Sequence, residues 1–146
     1  MNGVPMDLSQ APTVDELMTD GVILTALDQA WVDSTPEDPF GRHEEGGWIY
    51  YDPSTCSIDV RRAPRGNAAD LDLTHAPAIQ GHFLVATFHT HPNPSSEGWD
   101  PRPSNSDTNS ANILGVPCII RADDGDYKTG PESRRGGLSG QPGFPA

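Results

Sequence analysis

The chain has 146 residues, a formal net charge of −12 and two cysteines. That length suits one domain with one modest core. Two cysteines are too few for a disulfide framework, and no apolar run approaches a membrane span. Eight acids and no Lys or Arg fall in residues 1–41 (Asp7, Asp15, Glu16, Asp20, Asp28, Asp33, Glu37, Asp38). Such a surface repels phosphate backbones and argues against nucleic acid as a partner.

With Gly 15, Pro 15 and 34% hydrophobic residues, the composition predicts long loops around a small core. Residues 1–12 read as a flexible lead-in. They lack the basic start and apolar stretch of a secretory signal, so the expected location is cytoplasmic, although leaderless export leaves no mark in a sequence. Thr13-Val14-Asp15-Glu16 has the pattern of a capping box. A helix is expected from there to about Ser34. Val14, Leu17, Gly21, Leu24, Leu27 and Trp31 would form its apolar face, with Gly21 marking close packing on a sheet.

Gly46–Asp52 reads as a first strand and Ser57–Arg62 as a second, joined in a hairpin by an Asp-Pro-Ser-Thr turn. Arg61, Arg62 and Arg65 read as a solvated strand edge. Residues 63–80 read as a connection with little regular structure. The apolar run from His82 to Phe88 is a third, buried strand. A helix is expected over Ser104–Leu114, capped by Ser104 or Ser106, with Asp107 in its first turn. Val116–Arg121 reads as a fourth strand, with Cys118 as a small buried hydrophobe. After an Asp-rich turn, Tyr127-Lys128 begins a last short strand. Residues 130–146 read as a flexible Gly/Pro-rich tail, leaving 13–129 as the domain. This order predicts an α/β or α+β domain, a small central β-sheet flanked by helices in three layers.

The chemistry gathers at the end of the third strand. His89 and His91 are two apart, so in an extended chain both imidazoles share a face. Pro92 then ends the strand, because it has no N–H to donate. After a polar loop, Asp107 offers a carboxylate as a candidate third ligand. Two imidazoles and a carboxylate suit zinc, and three protein ligands leave a position for water. For any one of these residues, a strand-end or cap role would be the simpler account. His43, His75 and His82 read as solvated or edge residues. Cys56 has no basic neighbour to activate it, and neither Gly-rich stretch has phosphate-loop spacing.

His89-x-His91-Pro92, a loop, then Ser104-x-x-Asp107 resembles the JAMM motif of the JAB/MPN zinc metallopeptidase family. The resemblance implies zinc held by His89, His91 and Asp107, with Ser104 assisting at the oxyanion. It implies an upstream Glu as general base, in a Glu-x-x-Gly pattern opening the first core strand. Glu44 fits through Gly47, and Glu45 is its competitor. It also implies a JAB/MPN-like, cytidine-deaminase-like three-layer fold over roughly residues 13–130. The activity implied is hydrolysis of peptide or isopeptide bonds, with a protein or peptide substrate; ubiquitin-like proteins and cell-wall peptides are examples. Twelve residues, Pro92 to Pro103, separate His91 from Ser104, several more than the family usually has. Trp99 and Arg102 in that loop are candidates for one wall of the cleft. The alternatives are a non-catalytic MPN-like binding module and a DNA-repair-associated relative of the RadC type. In the tail, Arg134-Arg135-Gly136-Gly137 is similar to the end of ubiquitin-like proteins. A substrate mimic there is weighed against a Gly-rich run arising from composition alone.

Overall fold

A computed structural model describes residues 10–132. The flexible lead-in and tail expected from the sequence lie largely outside the described residues, as does the Arg-Arg-Gly-Gly run. Part of the lead-in is ordered: Ala11 is fully buried and packs with Val14 and Leu17.

The elements run α1 (Val14–Leu17), α2 (Gly21–Asp33), β1 (Gly46–Asp52), β2 (Ser57–Arg62), β3 (Phe83–His91), α3 (Asn105–Leu114), β4 (Cys118–Ala122) and β5 (Gly125–Thr129). A 3-10 turn, Ser95–Glu97, lies in the loop after β3. The fold is α+β: a five-stranded mixed sheet, order β2-β1-β3-β4-β5, with three helices. Only the β3–β4 pair is parallel. A parallel pair needs a crossover, and the loop with α3 provides it.

The single helix expected over residues 14–34 is two. The Thr13/Glu16 capping box forms and starts α1. Asp20 then caps a second helix, its carboxylate accepting the N–H groups of Val22 and Ile23. The break resets the apolar phase, so α2 buries Ile23, Leu27 and Ala30 rather than the face through Gly21, Leu24 and Trp31. Gly21 opens α2, and a Cβ added there would meet nothing within 4 Å, so it marks no close packing.

The sheet is covered on both faces. Ile23, Leu27, Ile49, Tyr51, Val85 and Phe88 form the core under α1 and α2. Trp48, Tyr50, Leu73, Leu84 and Leu114 form the opposite core, beneath α3 and the irregular segment after β2. That segment is tied down by Trp48 Nε1–H donating to the Leu73 carbonyl and Tyr50 Oη–H donating to that of Pro77.

One irregularity governs the site. Ile49 pairs with Ala86 but Tyr50 pairs with Leu84, so Val85 is an extra residue, a bulge in β3. Leu84 packs on the α3 side, while Val85 and Ala86 both belong to the α2-side core. Past the bulge, Phe88 stays on the α2 side while Thr87 and His89 border a cavity on the α3 side. β3 also runs to His91, three residues beyond the expected end, so the histidines belong to the strand itself.

Candidate metal centre

Glu44 and Glu45 lead into β1, where Gly46 and Gly47 are squeezed between neighbouring strands. A Cβ on Gly46 would strike the Phe88 carbonyl and His89, and one on Gly47 the Arg61 carbonyl, so only glycine fits. Thr90, between the histidines, faces the other way and fastens this lead-in. Its N–H donates to the Glu45 carbonyl at 2.9 Å, and its hydroxyl oxygen accepts the Glu45 N–H at 3.0 Å. The Thr90 hydroxyl also meets that of Ser34 at 2.6 Å, and Ser34 donates to the Ala30 carbonyl, anchoring the end of α2. Since the Ser34 proton goes to Ala30, Thr90 donates to Ser34. Glu44 is held on its other side: its N–H donates to the Asn67 carbonyl, and its own carbonyl accepts from Gly66.

Alternation then separates the two acids. Glu44 Oε1 lies 3.9 Å from His89 Nε2. Glu45 points away, meeting Arg62 at 2.6 Å and His43 at 2.6 Å. Two sequence expectations are corrected here. His43 is buried rather than solvated, against Glu45 and the Gly41 carbonyl. Arg62 is not a bare edge, since it joins Glu45 to Asp33. His75 and His82 lie elsewhere, beside Asp72 and Asp52.

His89, His91 and Asp107 converge. The two Nε2 atoms are 3.2 Å apart. Asp107 places one carboxylate oxygen 3.1 Å from His89 Nε2 and the other 3.1 Å from His91 Nε2. Helix α3 sets that carboxylate through a capping box. Ser104 Oγ accepts the Asp107 N–H at 3.1 Å, and Asp107 Oδ2 accepts the Ser104 N–H at 2.8 Å. The outer ring nitrogens also have partners: His91 Nδ1 lies 3.2 Å from the Pro101 carbonyl, and His89 Nδ1 lies 3.3 Å from Cys118 Sγ.

Two overlapping triads could therefore hold a metal ion. Glu44, His89 and His91 offer ligand atoms within 4.8 Å of one another. His89, His91 and Asp107 lie closer together: the two Nε2 atoms are 3.2 Å apart, and each is 3.1 Å from a different oxygen of Asp107. Bonds of about 2.0–2.2 Å to a tetrahedral ion separate its ligands by about 3.3–3.5 Å. The contacts among His89, His91 and Asp107 fall just short of that span, whereas Glu44 lies beyond it, 3.9 Å from His89. The shorter contacts to the histidines belong to Asp107 and the longer one to Glu44.

The electrostatics divide the same way. Burial pushes the Glu44 carboxyl up to about 7, against the pull of His89 and His91. Burial also works to raise Asp107, but hydrogen bonds from both histidines outweigh it and hold the carboxyl well below the usual range. Burial pulls His89 down, yet Cys118, Asp107 and Glu44 together carry it well above the ordinary histidine value.

An open cleft of about 250 Å3 reaches this cluster, bordered by Glu44, His91, Trp99, Arg102, Ser104 and Asp107. Trp99 is about half exposed, 48%. Arg102 lies on the wall, but its guanidinium is taken up by both oxygens of Asp100. The long loop is pinned at several points: Arg42 holds Glu97 with two bonds, Ser95 donates to Asp123, and Asn93 donates to the Ala68 carbonyl. Sequence reasoning missed the partners of the ring nitrogens. Cys118 is buried as expected, but it touches His89 only because β4 lies parallel to β3 in one register, which no local pattern announces.

Among the described residues, no helix is long and apolar enough to cross a membrane. No family model, no curated protein and no solved structure matches this chain.

Proposed function

We propose that this chain is a zinc-dependent hydrolase of peptide or isopeptide bonds, built on a JAB/MPN-like three-layer fold. One observation carries the proposal: the convergence of His89 and His91 on the two carboxylate oxygens of Asp107, with the buried Glu44 beside them. The donor set of two imidazoles and a carboxylate suits zinc, with those three residues as its ligands. Zinc bound there would supply Lewis-acid polarisation and a lowered pKa for water.

The chain's own residues do the rest. Glu44, with its carboxyl near 7, is suited to take a proton from the attacking water and return it to the leaving amine. Its backbone is clamped from both sides, so the carboxylate is presented without reorganisation. Ser104 Oγ uses a lone pair on the Asp107 N–H, which leaves its hydroxyl proton to donate to an oxyanion in the cleft. Trp99 offers an apolar face beside the reacting centre for a substrate side chain.

The test pairs metal analysis with cleavage assays on quenched fluorescent peptide libraries and on isopeptide-linked ubiquitin-like proteins. We expect about one zinc per chain, hydrolysis by the wild type, and none by a Glu44→Gln variant that keeps its zinc. Protein prepared without chelator and carrying no transition metal would refute the reading. Zinc without hydrolysis of either substrate class would favour a binding module instead.

A further inference from the structure

We propose that Cys118 is a positioning residue for the histidine pair. Its sulfur accepts the Nδ1–H of His89 and so aims Nε2 at the point that His91 and Asp107 also face. The inference rests on the metal-site reading above.

His89 is almost wholly enclosed, at 4% exposure. A buried imidazole must satisfy both nitrogens within the protein. Nε2 faces His91 and Asp107: without an ion its N–H donates to the carboxylate, and an ion would take the place of that proton. Nδ1 has Cys118 Sγ at 3.3 Å, and among the described residues no other hydrogen-bond partner is found for it. The register explains the contact. β4 runs parallel to β3 with Cys118 opposite Thr87, two residues before His89 on the same face. The imidazole therefore lies over the sulfur. A cavity of about 20 Å3 lies beside it, bordered by Thr87, Ser106 and Ser110 as well as by Ala111 and Leu114.

A neutral imidazole carries one N–H. When Nδ1 holds it, Nε2 presents a lone pair, and an acceptor at Nδ1 enforces that tautomer. His91 has a main-chain acceptor for this purpose, the Pro101 carbonyl. His89 has the sulfur. An apolar side chain in its place would strand the Nδ1–H and allow the ring to turn over, presenting carbon where nitrogen is needed.

The experiment compares Cys118→Ser, which keeps an acceptor, with Cys118→Val and Cys118→Ala, which do not. Zinc ion alone is the probe, read by competition with a chromogenic chelator. We expect the Val and Ala variants to bind about 10–100-fold more weakly than wild type, and the Ser variant within about threefold of it. Circular dichroism of each metal-free protein separates this effect from misfolding. Wild-type affinity in a folded Val or Ala variant overturns the proposal, as does a Ser variant as weak as Val. A second readout needs no metal. In 15N-labelled protein, the His89 Nδ1–H resonance should lie downfield in wild type and Cys118→Ser and move upfield in Cys118→Ala. If the wild type took up no zinc, the metal reading would fall by itself. An Nδ1–H unchanged in Cys118→Ala would then dispose of the sulfur contact as well.

Discussion

Glu44 and Glu45 are neighbours in sequence with opposite surroundings, and they give opposite expectations. Glu44 is raised from 4.5 to about 7, mainly by burial. Between those values the folded state binds more protons than the unfolded one, so Glu44 makes stability fall as pH rises through that window. In zinc-free protein, Glu44→Gln should remove that slope and raise stability above pH 7, by on the order of 3 kcal/mol relative to wild type. Urea melts at pH 4.5 and pH 8 measure it, and an unchanged difference between the two pH values would contradict the burial argument. Glu45 joins Arg62 and His43, so Glu45→Gln should leave zinc binding intact and cost about 1–2 kcal/mol of stability by the same melts. The spacing Glu-x-x-Gly pointed to Glu44 from sequence, and strand alternation explains why only one acid faces the histidines. The burial of His43 was not legible, because its partner depends on how the lead-in to β1 folds back under the end of α2.

At the scale of elements, α3 and β3 bear on the site most directly. Ser104 both caps α3 and borders the cleft. Ser104→Ala should lose about 1 kcal/mol of stability with the cap, and slow hydrolysis about a hundredfold through the missing oxyanion donor. Ser104→Asn, a good cap without the hydroxyl, should recover the stability in thermal melts but not the rate. A variant recovering both would show that the hydroxyl serves only the helix. In β3, deletion of Val85 should close the bulge into regular alternation and leave Phe88 on the α2 side and His89 on the α3 side. One residue inserted between Ala86 and Thr87 should instead shift the parity and turn the imidazoles toward the α2-side core. Zinc uptake should be lost in the insertion and retained in the deletion; chelator competition on both distinguishes parity from the bulge itself. Strand positions and the α3 cap were legible, because apolar runs and capping residues are local signals. The bulge was not, since Phe83 to Ala86 is apolar throughout and has no alternation to interrupt. The break at Asp20 was legible in principle, from an acid followed by a glycine within a helical pattern.

For the whole molecule, the sheet order places β3 third of five strands, flanked by β1 and β4. The mixed sheet with helices on both sides follows from element order, and Asp107 was legible as a candidate partner of the histidines. The meeting of His89 with Cys118 depends on the crossover and so lay beyond any local reading. The position of β3 has a consequence for how the protein breathes. Amides in a central strand exchange with solvent only when the whole domain unfolds, while the first turn of a surface helix opens by itself. His89 and His91 sit on the former, and Asp107 on the latter. Zinc held by all three would link the most persistent part of the molecule to one of its least persistent. Deuterium uptake followed with and without zinc should therefore slow most at residues 105–111 and change little in β3. The reverse pattern would mean that Asp107 is not a ligand. In that sense the metal would extend the slow-exchanging core outward by one helix, recruiting α3 into the same cooperative opening unit as the strand.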